Sequence, residues 1–496
     1  MKKSHSSGQP YRHENHRRPV TRRDFLAQGL IAGSAMVLSP SLFGLLRKSD
    51  AAFAQSMECV LSGGSGMIPF ICFDLAGGAS MAGSNVMVGG PGGQLDFLPA
   101  AGYEKLGLPE DMLPSLPGQL NTELGLAFHS DSAFLRGILA RTSAATRANV
   151  NGTILCARSE NDTQNNPHNP MYGIARAGAS GDLVTLVGTQ ASESGGRSVA
   201  PMAMIDPSIR PTKVDRPRDV TGLVDTGRLV EILDANDAGA VMRAVERISE
   251  LKLAKMTEQE VIESLIRCGY LQSTRLVEQF GNPSLLDPLL DADITGQATS
   301  IFQGGELNSG DFLKTASVMK LVVNGLAGAG TIEFGGYDYH DSTRATGERK
   351  DFTAGQAMGA VLEYAARRGR QLMLYVFSDG SLDSDGTLDN SADGRGKGVW
   401  KSDDSQTAAS FILVYDPAGR PPLTRPTASQ IGYFRPSGSL ETGATRISNN
   451  VDQLVEAVVL NYLALHGRNG QFASVLPDHG LGGDLDALTA FAPIRS

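Results

Sequence analysis

The run Thr331-Ile332-Glu333-Phe334-Gly335-Gly336-Tyr337-Asp338-Tyr339-His340-Asp341 sets three side chains able to bind a metal within four residues, directly behind a short apolar segment. An apolar run that breaks into glycines and then acids reads as a buried strand running out into a loop. On that reading Asp338, His340 and Asp341 stand at the carboxyl end of a strand, where open α/β sheets place their ligands. Three other places share the grammar: Asp74 behind the apolar run 68–73, Asp379 behind 372–378, and the Asp478-His479 pair near the end. The expectation is that all four gather into one site.

Working outward, Ile68-Pro69-Phe70-Ile71-Cys72-Phe73 is near-continuously apolar, as strands of parallel sheets buried on both faces are. Helical spacing through Val318, Leu321 and Val322 predicts a helix over 311–327 that delivers the chain to the central strand. After Asp341 the sequence is polar to Thr353, then helical through Met358, Val361, Leu362 and Ala365 to Arg370. The strand 372–377 follows. This strand, helix, strand order fits a right-handed parallel crossover. Residues 410–415 form a further strand, and 450–465 a last amphipathic helix. Between them these elements predict an α/β fold, a mainly parallel central sheet flanked by helices. Residues 221–281 are helical throughout, with Thr257 and Glu260 forming a capping box, and read as a helical insertion within one domain spanning 55–496.

The first 54 residues read as a leader. Arg22-Arg23 precedes a modestly apolar run over 29–46, then Arg47-Lys48, then Ala52-Phe53-Ala54, a small-x-small cleavage pattern. A cationic segment before the cleavage site suits twin-arginine export, so 1–54 resembles a Tat signal peptide. The Tat translocase is then the partner during export, and the mature protein is expected to be periplasmic or secreted. Cleavage would leave 35 basic against 50 acidic residues, a net charge of −15. That acidity argues against nucleic acid or anionic membrane surfaces as partners. No later segment is apolar for long enough to predict a membrane span. Cys59, Cys72, Cys156 and Cys268 remain after cleavage, allow three pairings, and contain no CxxC. Cys72, inside an apolar run, reads as a buried thiol.

Downstream of the leader there are five histidines, His129, His168, His340, His466 and His479, and two of them stand beside an aspartate in a glycine-rich loop. His466 reads as a helix-end residue and His129 as structural. The polar run 159–170 reads either as a disordered tip or, from its prolines and His168, as an ordered loop lining a polar site. Asp383, Asp385, Asp389 and Asp393 form an acidic loop that no EF-hand frame fits, because the frame from Ser381 puts Ala392 where glutamate is needed. Aspartate with histidine suits Zn²⁺, Mn²⁺, Mg²⁺ or Ca²⁺, harder ions being favoured as carboxylates predominate. After the first strand, Gly77-Gly78-Ala79-Ser80-Met81-Ala82-Gly83-Ser84 brings backbone amides and two hydroxyls near Asp74. No Gly-Lys-Ser/Thr follows, so this is not a P-loop.

In the leader, the Gly77-Gly78-Ala79-Ser80 turn, Gly336-Tyr337-Asp338-Tyr339-His340, Ser378-Asp379 and Asp478-His479-Gly480, the chain resembles the bacterial family of domain of unknown function 1501. That family is grouped with the alkaline phosphatase and sulfatase superfamily. The resemblance spans about residues 68–485 and implies an alkaline phosphatase-like fold with a metal-dependent esterase site. It implies metal ligation by Asp74, Asp338, His340, Asp379 and the Asp478-His479 pair, and a nucleophile at Ser80, with Ser84 as runner-up. Two departures stand out: the Asp338-x-His340 spacing is tight, and Gly380 takes the place of a second-metal histidine. Two functions follow, a metal-dependent hydrolase of phosphate or sulfate esters, or a non-catalytic exported protein serving binding or surface assembly on the same fold.

Overall fold

A computed structural model of the chain describes residues 66–160, 166–224 and 283–495, with Arg247 by itself. The expected leader, residues 1–54, most of the 221–281 segment, Cys59 and Cys268 lie outside the described residues. Contacts divide the chain into two units, of which the larger, Ser62–Leu223 with Pro283–Ser496, holds every element below.

Its centre is an eight-stranded sheet: β1 (Phe70–Ala76), β2 (Val150–Leu155), β3 (Val184–Gly188), β4 (Thr212–Lys213), β5 (Ala327–Gly335), β6 (Leu372–Phe377), β7 (Ser410–Tyr415) and β8 (Gln430–Ile431). In space the order is β8-β2-β7-β6-β1-β5-β3-β4. All neighbours pair parallel except β7, which runs against both β2 and β6. The molecule is therefore of the α/β class, with a mostly parallel sheet and flanking helices. Strands β5 and β6 sit on either side of β1, joined by one helix in a parallel crossover over it.

Alternation along the strands sends side chains to two buried layers. Phe70, Cys72, Tyr375, Phe377, Ile412 and Val414 share a core with α2 (Met171–Arg176) and α5 (Val451–Leu465). The opposite face meets α1 (Ala133–Arg141), α3 (Gly310–Val323) and α4 (Ala345–Arg367); Phe134 of α1 packs on Phe411 of β7 with ring centroids 6.0 Å apart. Helices α1 and α4 touch backbone to backbone. A Cβ at Gly137 would lie 2.3 Å from the Phe352 carbonyl oxygen, and one at Gly355 would lie 2.2 Å from that of Phe134. Only glycine permits that approach.

The structure moves several boundaries. Strand β1 runs to Ala76, so Asp74 lies inside the strand, in register with Glu333 and Phe377, instead of closing it. Strand β5 begins at Ala327, its Ala-Gly-Ala-Gly start hidden from an apolar-run reading; a Cβ at Gly330 would meet Val318 of α3 at 2.6 Å. Helix α4 begins at Ala345, eight residues before Thr353, because its polar first turns bury Glu348 and Asp351 among partners. Phe134, Ile138 and Leu139 at apolar spacing read as one helical stretch between Ser130 and Ala148, and the structure makes it two helices, broken at Thr142-Ser143.

Candidate metal centre

Beyond β5 the chain keeps a strand-like alternation that sorts its side chains. Tyr337 and Tyr339 are 2 % exposed and point inward, while Asp338 and His340 point out. His340 Nδ1 lies against Asp338 Oδ1 and 3.5 Å from Asp403 Oδ1. Ligand atoms of Asp338, His340 and Asp403 all lie within 4.8 Å of one another, the one such group of three or more histidine, cysteine or acidic residues among the described residues. His340 Nδ1 is shielded from solvent and makes no hydrogen bond of acceptable geometry, although both carboxylates are near. An imidazole nitrogen without a hydrogen bond, facing two carboxylates, is a donor set that fits a divalent cation.

Asp403 reaches this place through two local pairings. It lies on a two-residue strand, Ser402–Asp403, pairing antiparallel with Leu382–Asp383. Nearby, the Ser342 amide donates to the Trp400 carbonyl at 3.1 Å and the Trp400 amide donates to that of Thr343 at 3.2 Å. Ser342 has φ +61°, a left-handed conformation that a serine adopts at a cost of order 1 kcal/mol. Asp389 adds a second tie by accepting from the amides of Arg344 and Ala345 at the start of α4. Its hydrogen bond to Ser391, then that from the Arg344 amide, hold its carboxyl down at about 2. Fully buried Lys397, donating to Glu348 of α4 at 2.8 Å, closes the same seam.

Asp341, third of the clustered loop side chains, is committed elsewhere. Its carboxylate accepts from the amide and hydroxyl of Thr343 and from the hydroxyl of Thr346. The remaining acids of the 383–393 loop are used singly: Asp383 accepts from Ser402, Asp385 from the Thr387 amide, and Asp393 pairs with Arg349.

Asp74 and Asp379 are both fully buried just below the loop. The Asp74 carboxylate takes the Ser198 amide at 2.9 Å and the Ser198 hydroxyl at 3.0 Å. Burial pushes its carboxyl up to about 7, against the Ser198 amide bond and with help from the charges of Asp379 and Glu333. Asp379 Oδ1 accepts from the Gly77 amide at 2.8 Å. Gly77, at φ +130°, is the hinge of this region: a Cβ there would stand 2.7 Å from the Asp338 nitrogen. Asp379 and Asp338 thus meet at the Gly77 turn, the Asp74 carboxylate is held by Ser198, and Asp74 and Asp379 stand outside the group of three ligand atoms.

Asp478 and His479 lie elsewhere. The His479 ring packs on Phe472 at 4.7 Å, and the neighbouring Gly480 amide donates to Glu456 on α5. Ser84 Oγ accepts from Arg344 Nη2 at 2.8 Å, inside a fully buried environment. Ser80 is also fully buried, and its Oγ has no hydrogen-bond partner. Among the other histidines, His129 joins the Met112 carbonyl and the Asp131 amide, a structural role. His466 caps the end of α5, yet its ring accepts from the Ile68 amide instead of meeting helix carbonyls. His168 is stacked on Phe377, and burial lowers its pKa to about 3. Cys72 and Cys156 are buried free thiols.

Asp403 was not singled out in the sequence. Acids that follow a strand stand out in a sequence; Asp403 precedes one, β7, and only the reversed direction of β7 brings its leading residues to the edge where β1, β5 and β6 end. The acid pair Asp403-Asp404 ahead of the 410–415 run is the signal that was present.

No protein-family model matches the sequence, and comparison with curated proteins finds no significant match. Among the described residues no helix is long and apolar enough to cross a membrane. Fold and site together define an α/β protein with a partly exposed Asp-His-Asp triad at the carboxyl edge of its sheet.

Proposed function

We propose that the protein is an exported metal-dependent hydrolase of the alkaline phosphatase and sulfatase kind, related to the domain of unknown function 1501 family. It holds one divalent cation at Asp338, His340 and Asp403 and acts on a small phosphate or sulfate ester outside the inner membrane. The observation that carries this reading is the triad itself, two carboxylates and an imidazole within 4.8 Å at the sheet edge where α/β folds place ligands. Half-exposed ligands leave room for a substrate oxygen, since Asp338, His340 and Asp403 side chains are 42 %, 36 % and 48 % exposed. Two oxygens and one nitrogen suit Mn²⁺ or Zn²⁺ better than an all-oxygen calcium cage. Such a cation polarises a phosphoryl or sulfuryl oxygen or lowers the pKa of a bound water. Ser80, whose hydroxyl has no competing hydrogen bond, supplies the nucleophile nearest to the Gly77 turn in sequence.

A second reading, an exported binding or assembly protein with a structural cation, is favoured by two observations. Both oxygens of Asp74 are taken by Ser198, and Ser80 is fully buried. Elemental mass spectrometry of protein exported through its own leader separates these readings when paired with an ester screen. One equivalent of metal, lost in Asp338→Ala and in Asp403→Ala, with turnover of a phosphate or sulfate ester, is the expected result. Metal without turnover leaves the binding protein. A well-folded, metal-free wild type removes the cation from both.

A further inference from the structure

Tyr339 sits between two members of the triad, and its hydroxyl reaches the opposite way. That hydroxyl accepts from the Ser80 amide at 3.0 Å and donates to Asp351 Oδ1 at 3.0 Å. The second oxygen of Asp351 accepts from Asn85 Nδ2 at 2.8 Å, and the same Nδ2 donates to the Ser80 carbonyl at 2.9 Å. The four residues therefore close a ring: both backbone polar groups of Ser80 are held by donors and acceptors that converge on one buried carboxylate. Asn85 Oδ1 in turn accepts from the Ser132 hydroxyl and the Ala133 amide at the start of α1.

We propose that Tyr339 is a positioning residue that couples cation binding to the Ser80 turn. The inference rests on the cation-site reading and adds to it a connection between the triad and the one candidate nucleophile whose hydroxyl is unpartnered. Strand-like alternation makes the link mechanical. A cation that draws Asp338 and His340 toward Asp403 fixes the backbone on which Tyr339 stands. The Tyr339 ring cannot yield on its own, because it packs on Tyr337 at 5.9 Å and against α4 where a Cβ at Gly347 would meet it at 3.0 Å. Restraint at the triad is delivered through a stiff aromatic lever to the hydroxyl, and from there to the Ser80 amide. Ordering of one segment by a ligand bound at another is the physical content of such coupling.

The test combines Mn²⁺ titration calorimetry with amide hydrogen exchange over residues 77–85, on wild-type protein and on Tyr339→Phe. The phenylalanine keeps the ring and removes only the hydroxyl. In the wild type, Mn²⁺ binds at one site and slows exchange of the 77–85 amides about tenfold. In Tyr339→Phe these amides exchange faster before Mn²⁺ is added, and Mn²⁺ still binds but no longer changes their rate. A role confined to packing would shift both rates alike and preserve the Mn²⁺ effect, which would overturn the coupling. Mn²⁺ binding to the wild type with unchanged exchange overturns it as well, and this arm stands even where the variant does not fold. Absence of Mn²⁺ binding in the wild type removes the cation site and the coupling together, and the calorimetry distinguishes that outcome from loss of the coupling alone.

Discussion

Asp74 shows how a residue legible as a metal ligand can be settled by its surroundings. Two hydrogen bonds from Ser198 occupy its oxygens, and the approach of Gly196, whose Cβ would stand 2.6 Å from Asp74 Oδ2, closes the space above it. Burial raises its carboxyl to about 7, and Asp351 is raised to about 7 for the same first reason. A carboxyl raised on folding binds its proton more tightly folded than unfolded. The stability it contributes is complete below the ordinary value of 3.8 and is lost as pH rises through about 7. In denaturant titration the share of Asp74 is a decline of unfolding free energy between pH 4 and pH 7.5, set against the rise that buried His129, His168 and His466, all lowered by burial, give below 6.5; Asp74→Asn, which cannot ionise, should remove that decline and tilt the measured slope upward. An unchanged slope in the variant would assign the decline to other groups. Asp338 and His340 were visible in the sequence because they follow an apolar run; the carboxylate that completes their triad was not, since nothing local to Ser402-Asp403 reveals the direction of the strand after it.

At the scale of elements, strands were easier to read than the start of the longest helix. The runs 372–377 and 410–415 match β6 and β7 because every residue in them is buried, and buried strands are apolar without interruption. Helix α4 was half hidden because its first turns carry Arg344, Glu348 and Asp351, which look solvated in sequence but are buried in ion pairs and hydrogen bonds. Its N-terminal amides are satisfied by Asp389, a carboxylate from a distant loop, so no local capping signal marks the boundary. The glycines of the same helix make a sharper statement. In an isolated helix Gly355→Ala would gain about 1 kcal/mol of propensity. Here the added methyl meets the Phe134 carbonyl oxygen at 2.2 Å, so backbone of α1 or α4 must move. The variant is expected to lose about 1–3 kcal/mol, read as a lower urea midpoint at unchanged slope. A gain in stability would show that the two helices have room to separate.

For the whole molecule, the α/β class was legible from the order of strand and helix signals, and the placing of the 338–341 loop at the carboxyl edge of the sheet followed from it. Strands β2 and β5 were less so: Gly152, Gly328 and Gly330 dilute their apolar runs, because neighbouring backbone or side chains pack where larger side chains would stand. The triad is assembled from two segments of chain, 338–340 and 403, held in place by Trp400, Asp389 and the reversed strand β7. A cation that binds this arrangement and not the unfolded chain stabilises the fold by about 2.7 kcal/mol at a hundredfold excess over its dissociation constant. Stripping metal with EDTA should therefore lower the melting temperature by several degrees, and restoring Mn²⁺ should recover it; in Asp403→Ala neither treatment should matter.

A site whose donors lie far apart along the chain cannot collect its ion during synthesis of either part. Its two halves meet only after β5, α4, β6 and the loop before β7 have all taken their positions. On the cation reading proposed above, occupancy would work as a certificate of completed folding: a chain in which these segments have not yet met presents only a loose pair of ligands, from which an ion escapes again.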